Sequence, residues 1–352
     1  MKKLFSLLSL CVVFTHVSSA FAQGPGSAAA LFLLISPGAR SAGMGESFVS
    51  VADDANATYW NPAGLAFQER MSISLMHANW LPQLASDLYY DYASAVKPLG
   101  GIGTAGLAVT FINLGEQIIT GENDPTELGR FSSYELAVAG SFGTKLGANN
   151  SAGVALKFIY SNLAPQLDNT SQKGDGNATA FALDLAYLHK NLLVDYLNFG
   201  VNLTNLGPKI TYVDAAQADP LPTNLRIGLS YQLIRQEFNK LVLAAEVDRL
   251  LIAFDDQGKA LGVIPGVFKA FSDEPFDTEM KHFIYNAGAE YWYNNFVALR
   301  TGYHYDQTGR VKYVTFGAGL KYSSLNLDFG YVSAGEGHPL SDTMRFSLGI
   351  GL

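Results

Sequence analysis

The side chains that usually carry chemistry are sparse in this sequence and do not assemble into a working set. His77, His189, His282, His304 and His338 are scattered, no two fall at metal-ligand spacing, and no HExxH string occurs. Cys11, the single cysteine, lies in an N-terminal apolar run, so the rest of the chain has no thiolate to offer a metal or an electrophile. No GxSxG elbow presents a serine nucleophile. A GxGxxG string does occur, at Gly101, Gly103 and Gly106. It opens the alternating stretch "AGLAVTFI", however, whereas a dinucleotide site needs it between a strand and a helix. The expectation is a non-enzymatic protein with no catalytic, cofactor-binding or metal site.

What remains is charge set into alternating segments. Asp91, Glu135, Lys157, Asp184, Arg226, Glu246, Asp248, Glu290, Arg300, His304, Lys321, Asp328 and Arg345 each oppose an apolar face. On the lipid side of a membrane sheet an Arg or Lys at mid-depth costs about 2–4 kcal/mol, so such side chains must turn into the lumen. There they either cross-link a polar interior or touch cargo or solute.

The elements that position them are strands. From about residue 70 to the last residue the apolar period is two. In the final segment Met344, Phe346, Leu348, Ile350 and Leu352 share one parity, and Arg345, Ser347, Gly349 and Gly351 share the other. "AFALDLAY" sets Phe181, Leu183, Leu185 and Tyr187 against Asp184, and "NLRIGLSYQL" sets Leu225, Ile227, Leu229 and Tyr231 against Arg226. About fourteen such segments, most near ten residues, match the length a tilted strand needs to cross a bilayer. They fall near 70–78, 86–97, 102–114, 130–143, 151–162, 178–189, 195–206, 222–234, 239–251, 281–293, 296–306, 311–322, 325–334 and 341–352. Short connections such as Asn294-Asn295 and Ser323-Ser324 alternate with long ones such as "GEQIITGENDPTELG", "LAPQLDNTSQKGDGN" and residues 252–280. A soluble sandwich has no reason to sort its loops by parity, whereas an outer-membrane barrel does. The reading is an all-β, transmembrane antiparallel barrel of about fourteen strands, spanning 70–352.

Composition agrees. Only 15% of residues are charged, 12% are aromatic and the formal charge is −8, which argues against a nucleic-acid partner. Lys2 and Lys3, the apolar run from Leu4 to Val17 and the small residues of Ala20-Phe21-Ala22 form a secretory signal peptide over 1–22, with cleavage expected before Gln23. Leu10 stands where a lipoprotein site needs a small residue before the cysteine. Behind a bacterial signal, the Asn-x-Ser/Thr sequons at Asn56 and Asn177 carry no information.

Residues 23–69 do not alternate. They hold the short apolar run Leu31 to Ile35 and then "SPGARSAGMGESFVSVADDANATYWNPAGLAF". Pro37, Gly38, Gly43 and Gly45 permit tight turns and close packing. Asn61 before Pro62 reads as a helix start, with one turn over Pro62 to Phe67. Irregular backbone cannot face lipid, and wall side chains alone cannot fill a barrel this wide. The segment is expected to plug the lumen, with Tyr59 and Trp60 against the inner wall.

The order of signal peptide, Asn-Pro-Ala plug (Asn61, Pro62, Ala63) and about fourteen strands resembles the FadL-like superfamily of outer-membrane transporters for hydrophobic compounds. More narrowly, Leu31 to Phe67, with Arg40, Gly43, Gly45 and Trp60 inside it, resembles the PorV/PorQ family, in particular its type IX secretion branch. That resemblance implies an outer-membrane protein that binds secreted cargo by a C-terminal signal domain. It would take cargo from the type IX translocon and pass it to the surface attachment machinery, without catalysis. Its expected partners are therefore outer-membrane lipid, cargo, and translocon and attachment-complex proteins. The lumen-facing candidates are Asp184, Arg226, Glu246, Glu290, Arg300, His304, Asp328 and Arg345. The alternative is a FadL-like channel for hydrophobic small molecules, which needs an apolar pocket beside the plug and a lateral opening; Pro98 is the one suggestive break. The loop from Ala253 to Glu279, acidic with Phe268, Phe271 and Phe276 interleaved, is either a recognition surface or a solvated loop.

Overall fold

Each alternating run becomes a strand because one face meets a filled lumen and the other a lipid-like exterior. The computed structural model describes residues 28–120, 126–164, 176–212 and 218–352; the expected signal peptide and its cleavage site lie outside these. The first strands are β1 (Ser72–Asn79), β2 (Tyr89–Pro98), β3 (Thr104–Thr120), β4 (Glu127–Lys145), β5 (Asn150–Asn162), β6 (Asn177–His189) and β7 (Leu197–Leu206). They continue as β8 (Asn224–Arg235), β9 (Asn239–Leu250), β10 (Phe283–Tyr293), β11 (Val297–Asp306), β12 (Val311–Tyr322), β13 (Leu325–Ser333) and β14 (Thr343–Gly351). Neighbours pair antiparallel all the way round, and β14 closes on β1 with Ser72 opposite Gly351 and Ala78 opposite Arg345. Leu156, Phe181, Leu229, Leu299, Phe316 and Phe346 are exposed on the outer face. On the inner face Asp184, Arg226, Glu246, Arg300 and Arg345 are buried.

Two details depart from the alternation. β3 and β4 run further into their hairpin than the pattern suggested. A register shift between Asn113 and Glu116, where Gly115 has φ 78°, resets the pairing. Arg130 then ties Glu116 and Glu127 at 2.7 and 2.6 Å. Asp91 is the second departure. It was expected inside but lies on the outer parity of β2, where its carboxylate meets His77 Nδ1 at 2.7 Å. The inward positions belong to Tyr90 and Tyr92, both buried. In "YYDYASAV" tyrosines occupy both parities, so period two alone could not choose the face.

The plug is built of short turns. A 3₁₀ turn at Leu31–Leu34 leads to α1 (Ala39–Gly43), α2 (Ala57–Trp60) and a second 3₁₀ turn at Pro62–Phe67. Asn61 caps that last turn, its side chain accepting from the Ala63 N–H at 3.1 Å while Pro62 has no N–H to leave unpaired. The β9–β10 connection carries α3 (Val263–Lys269) and α4 (Phe276–Glu279).

Candidate functional site

Residues 28–71 traverse the lumen from the long-loop end to the short-turn end. At the first end the Ala29 N–H donates to Pro220 O at 3.0 Å, and the Tyr90 hydroxyl donates to Ile35 O at 2.8 Å. At the other end the Pro62–Phe67 turn packs on β4, β5 and β6 before entering β1.

Between them the wall grips the plug backbone directly. Trp60 is fully buried, donates from Nε1 to Pro37 O at 3.1 Å, and meets Phe48 and Tyr59 edge-on. The Arg226 guanidinium lies 4.8 Å from both the Tyr59 and Trp60 rings and donates to the Tyr59 hydroxyl at 2.9 Å. Glu246 accepts from the Phe48 and Val49 N–H groups, each at 2.7 Å. Asn61 also donates to Val49 O at 2.8 Å and to Tyr187 O at 3.2 Å. Gly45, at φ 63°, donates its N–H to Thr315 Oγ1 at 2.9 Å, and Thr315 in turn donates to Gly43 O at 3.1 Å. A methyl at Gly45 would strike the Tyr303 backbone, and one at Gly302 would strike Gly45 itself. Likewise the Pro62–Ala63 backbone sits on Gly153, and Val49 sits on Gly200. Wall glycines thus form a bed with no side chains, into which the plug main chain settles.

The predicted inward charges fall into separate groups. Arg40 of the plug forks onto Glu290 at 2.8 and 2.7 Å, and its third nitrogen reaches Asp53 at 2.5 Å and Asp54 at 3.2 Å. Arg300 donates to the same Glu290 at 2.7 Å and to Asp328 at 2.7 Å. Burial opposes the charge on Arg40, but Asp53 and Glu290 outweigh it and hold the guanidinium well above its ordinary value. Asp54 keeps 29% side-chain exposure, yet burial pushes its carboxyl up to about 6 against the pull of Arg40, and neighbouring Asp53 adds to the rise. Arg345 donates to Ser36 O and pairs with Glu46 at 3.1 Å. Burial raises Glu46, but Arg345 and then His304 overcome this and leave its carboxyl below the ordinary value. His304 meets Asn286 at 2.7 Å and stacks on Tyr313. Asp184 instead binds wall residues, Lys157 at 2.8 Å and the Asn205 N–H at 2.8 Å.

Two neighbouring cavities of about 440 and 530 Å³ open at the short-turn end and share Arg40, Asp53, Asp54, Lys321, Asn326 and Asp328. They are polar. Toward the long-loop end the lumen is filled instead by Phe32 and Leu33, packed in one apolar cluster with Tyr59, Tyr90, Ile112, Ile159, Ile210 and Leu221. Among the described residues no group of three His, Cys, Asp or Glu side chains could hold a metal ion. The Gly101–Gly106 string forms the β2–β3 turn and the first residues of β3.

Two residues that matter here escaped the sequence reading. Asn202 donates to Trp60 O at 2.9 Å, and the signal was an amide on the inward parity of "LNFGVNLTN". Arg249 is fully buried although it sits on the outward parity of β9, opposite Leu225 and Phe283. A charge out of phase with "AEVDRL" was the signal.

The model of the type IX secretion system protein PorV matches residues 23–257. The chain belongs to the PorV family. No curated protein matches its sequence. Among solved structures it resembles the toluene transporter TbuX of Ralstonia pickettii, with TM-score 0.56 and 14% identity over 90% of this chain and 97% of that one. The toluene transporter TodX of Pseudomonas putida matches with TM-score 0.53 and 15% identity over 89% and 96%. A FadL homologue of Pseudomonas aeruginosa matches with TM-score 0.50 and 12% identity over 88% and 97%. At such identities the likeness is one of fold, a FadL-like outer-membrane barrel. Family and fold place the chain in the bacterial outer membrane, where barrels generally keep short turns on the periplasmic side and long loops outside.

Proposed function

We propose that this barrel is a non-catalytic component of type IX secretion that receives secreted cargo through its C-terminal signal domain and hands it to the surface attachment machinery. The observation that carries this reading is the family match over residues 23–257. The lumen supports it: where a channel for hydrophobic solutes needs an apolar pocket beside the plug, Phe32 and Leu33 fill the space against Ile112, Ile159 and Leu221. The plug, expected over 23–69, then serves as a fixed filler that stiffens the barrel, and cargo meets the long extracellular loops. Translocon and attachment proteins are the partners this role requires.

Deletion of the gene is the direct test. Proteins carrying the shared C-terminal domain are expected to accumulate in the periplasm or to reach the surface unattached, and to co-purify with the barrel in mild detergent. Normal secretion in the deletion strain, together with lost uptake of long-chain fatty acids or aromatics, would overturn the reading in favour of a solute channel.

A further inference from the structure

Part of the β9–β10 connection packs on the outside of the wall. Leu203 of β7 and Leu225 of β8 are cross-strand partners flanked by the inward pair Asn202 and Arg226, so both leucines point outward. They are packed under Leu251, Leu261, Val267 and Ala270 of the connection. Arg249 fastens the other side. Its outward guanidinium donates to Ala270 O, to Glu279 O and to the Glu279 carboxylate, and it lies 5.1 Å from the Phe283 ring and 5.8 Å from that of Phe271. A buried arginine with those partners makes the connection a fixed flange at the outer rim.

The flange turns a second apolar face away from the barrel. Gly266 and Val267 of α3, with Ala270 just after it, lie toward the wall, while Ile264 and Phe268, one helical turn apart, occupy the opposite side. Ile264 is 74% and Phe268 76% exposed, far more than an ordinary outer-wall residue such as Leu229 at 44%. Just below Leu225 and Arg249 on the same strands, Ile227, Leu229 and Leu243 form the exposed lipid-facing band. α3 therefore rests on outward residues, Leu203 and Leu225, of the same strands that carry this band.

We propose that α3 is a lipid-contacting flange, its Ile264 and Phe268 side chains seated among acyl chains of the outer leaflet. The proposal rests on the outer-membrane placement of the barrel and is independent of what the barrel does with cargo. Short apolar helices that lie along a membrane interface bury this kind of face, and aromatic residues favour that depth. Continuity with the lipid band selects lipid as the occupant, and a second membrane protein covering the same face is the competing outcome.

Single-cysteine labelling of the full protein tests it, because the chain's one cysteine, Cys11, falls in the segment expected to be removed. Phe268→Cys is labelled with bimane, beside Leu229→Cys as a lipid control and Asp255→Cys as a loop control. Phe268 and Leu229 are exposed and Asp255 is half-buried in a loop turn, so none of the three substitutions removes a core side chain. In vesicles of phosphatidylethanolamine and phosphatidylglycerol, a nitroxide lipid is expected to quench the Phe268 label several-fold more than aqueous iodide does, as for Leu229. Iodide quenching equal to that at Asp255 would overturn the proposal. So would a label that is open to quenchers in pure vesicles but shielded from both in native outer membrane, which would assign the face to a protein.

Discussion

Glu290 is the residue on which the plug's charged anchor turns, and replacing it by Gln isolates the charge from the shape. The wild-type carboxylate receives two bonds from Arg40 and one from Arg300, with side-chain exposures of 2% for Glu290 and 14% for Arg40. Glu290→Gln keeps the volume but leaves two guanidinium groups facing one amide. Removing one partner from a buried ion pair costs about 3–5 kcal/mol, because the other charge stays desolvated. Asp328 still serves Arg300 and Asp53 still serves Arg40, so the lower end of that range is expected. Asp53 supplies the contrast: at 51% exposure its pair with Arg40 is a surface bridge, worth less than about 1 kcal/mol. Hydrogen exchange of the plug amides reads the difference as a local opening free energy. Glu290→Gln is expected to lower it by about 3 kcal/mol over residues 38–54, leaving the β5–β6 amides protected, and Asp53→Asn is expected to change it little. Equal effects of the two substitutions would refute the argument that burial, not charge count, holds the plug.

Other expectations follow from the same geometry. Gly302→Val drives a side chain into the Met44–Gly45 backbone and should unseat the plug, at a cost of about 1–3 kcal/mol or more; Gly140→Val, which meets nothing within 4 Å, should leave plug exchange unchanged. Arg249→Met should expose the amides of residues 251–282 to exchange without altering the plug, because its hydrogen-bond acceptors, Ala270 and Glu279, lie in the flange. Asp54 binds its proton more tightly in the seated plug, at about 6, than at its ordinary 3.8. Its contribution is therefore full below pH 3.8 and is lost as pH rises through about 6, by roughly 1–3 kcal/mol. Asp54→Asn should flatten that part of the plug's pH profile, and an unchanged slope in the variant would assign the titration elsewhere.

Period two carried most of the architecture because lipid outside and a crowded polar lumen inside impose opposite demands on successive residues. β5, β6 and β12 fall within a residue of where the alternation ended. The pattern failed where both faces tolerate the same side chain, as with the tyrosines around Asp91. It failed again where tertiary packing covers the outer face, as the flange does at Arg249. The Asn61-Pro62 turn was legible from capping chemistry alone. The pairing of Arg40 with Glu290 was not, since no local rule joins residues 250 positions apart.

The closing strand has a further meaning when its inner face is considered. Ser347 of β14 accepts from the Ala39 N–H at 2.9 Å, and Arg345 donates to Ser36 O. β14, which closes the sheet, therefore completes two interfaces at once, the seam with β1 and the seat of the plug. Insertion that zips the seam around an empty lumen would leave both contacts unmade. One strand thus links the stability of the barrel seam to the seating of the N-terminal segment.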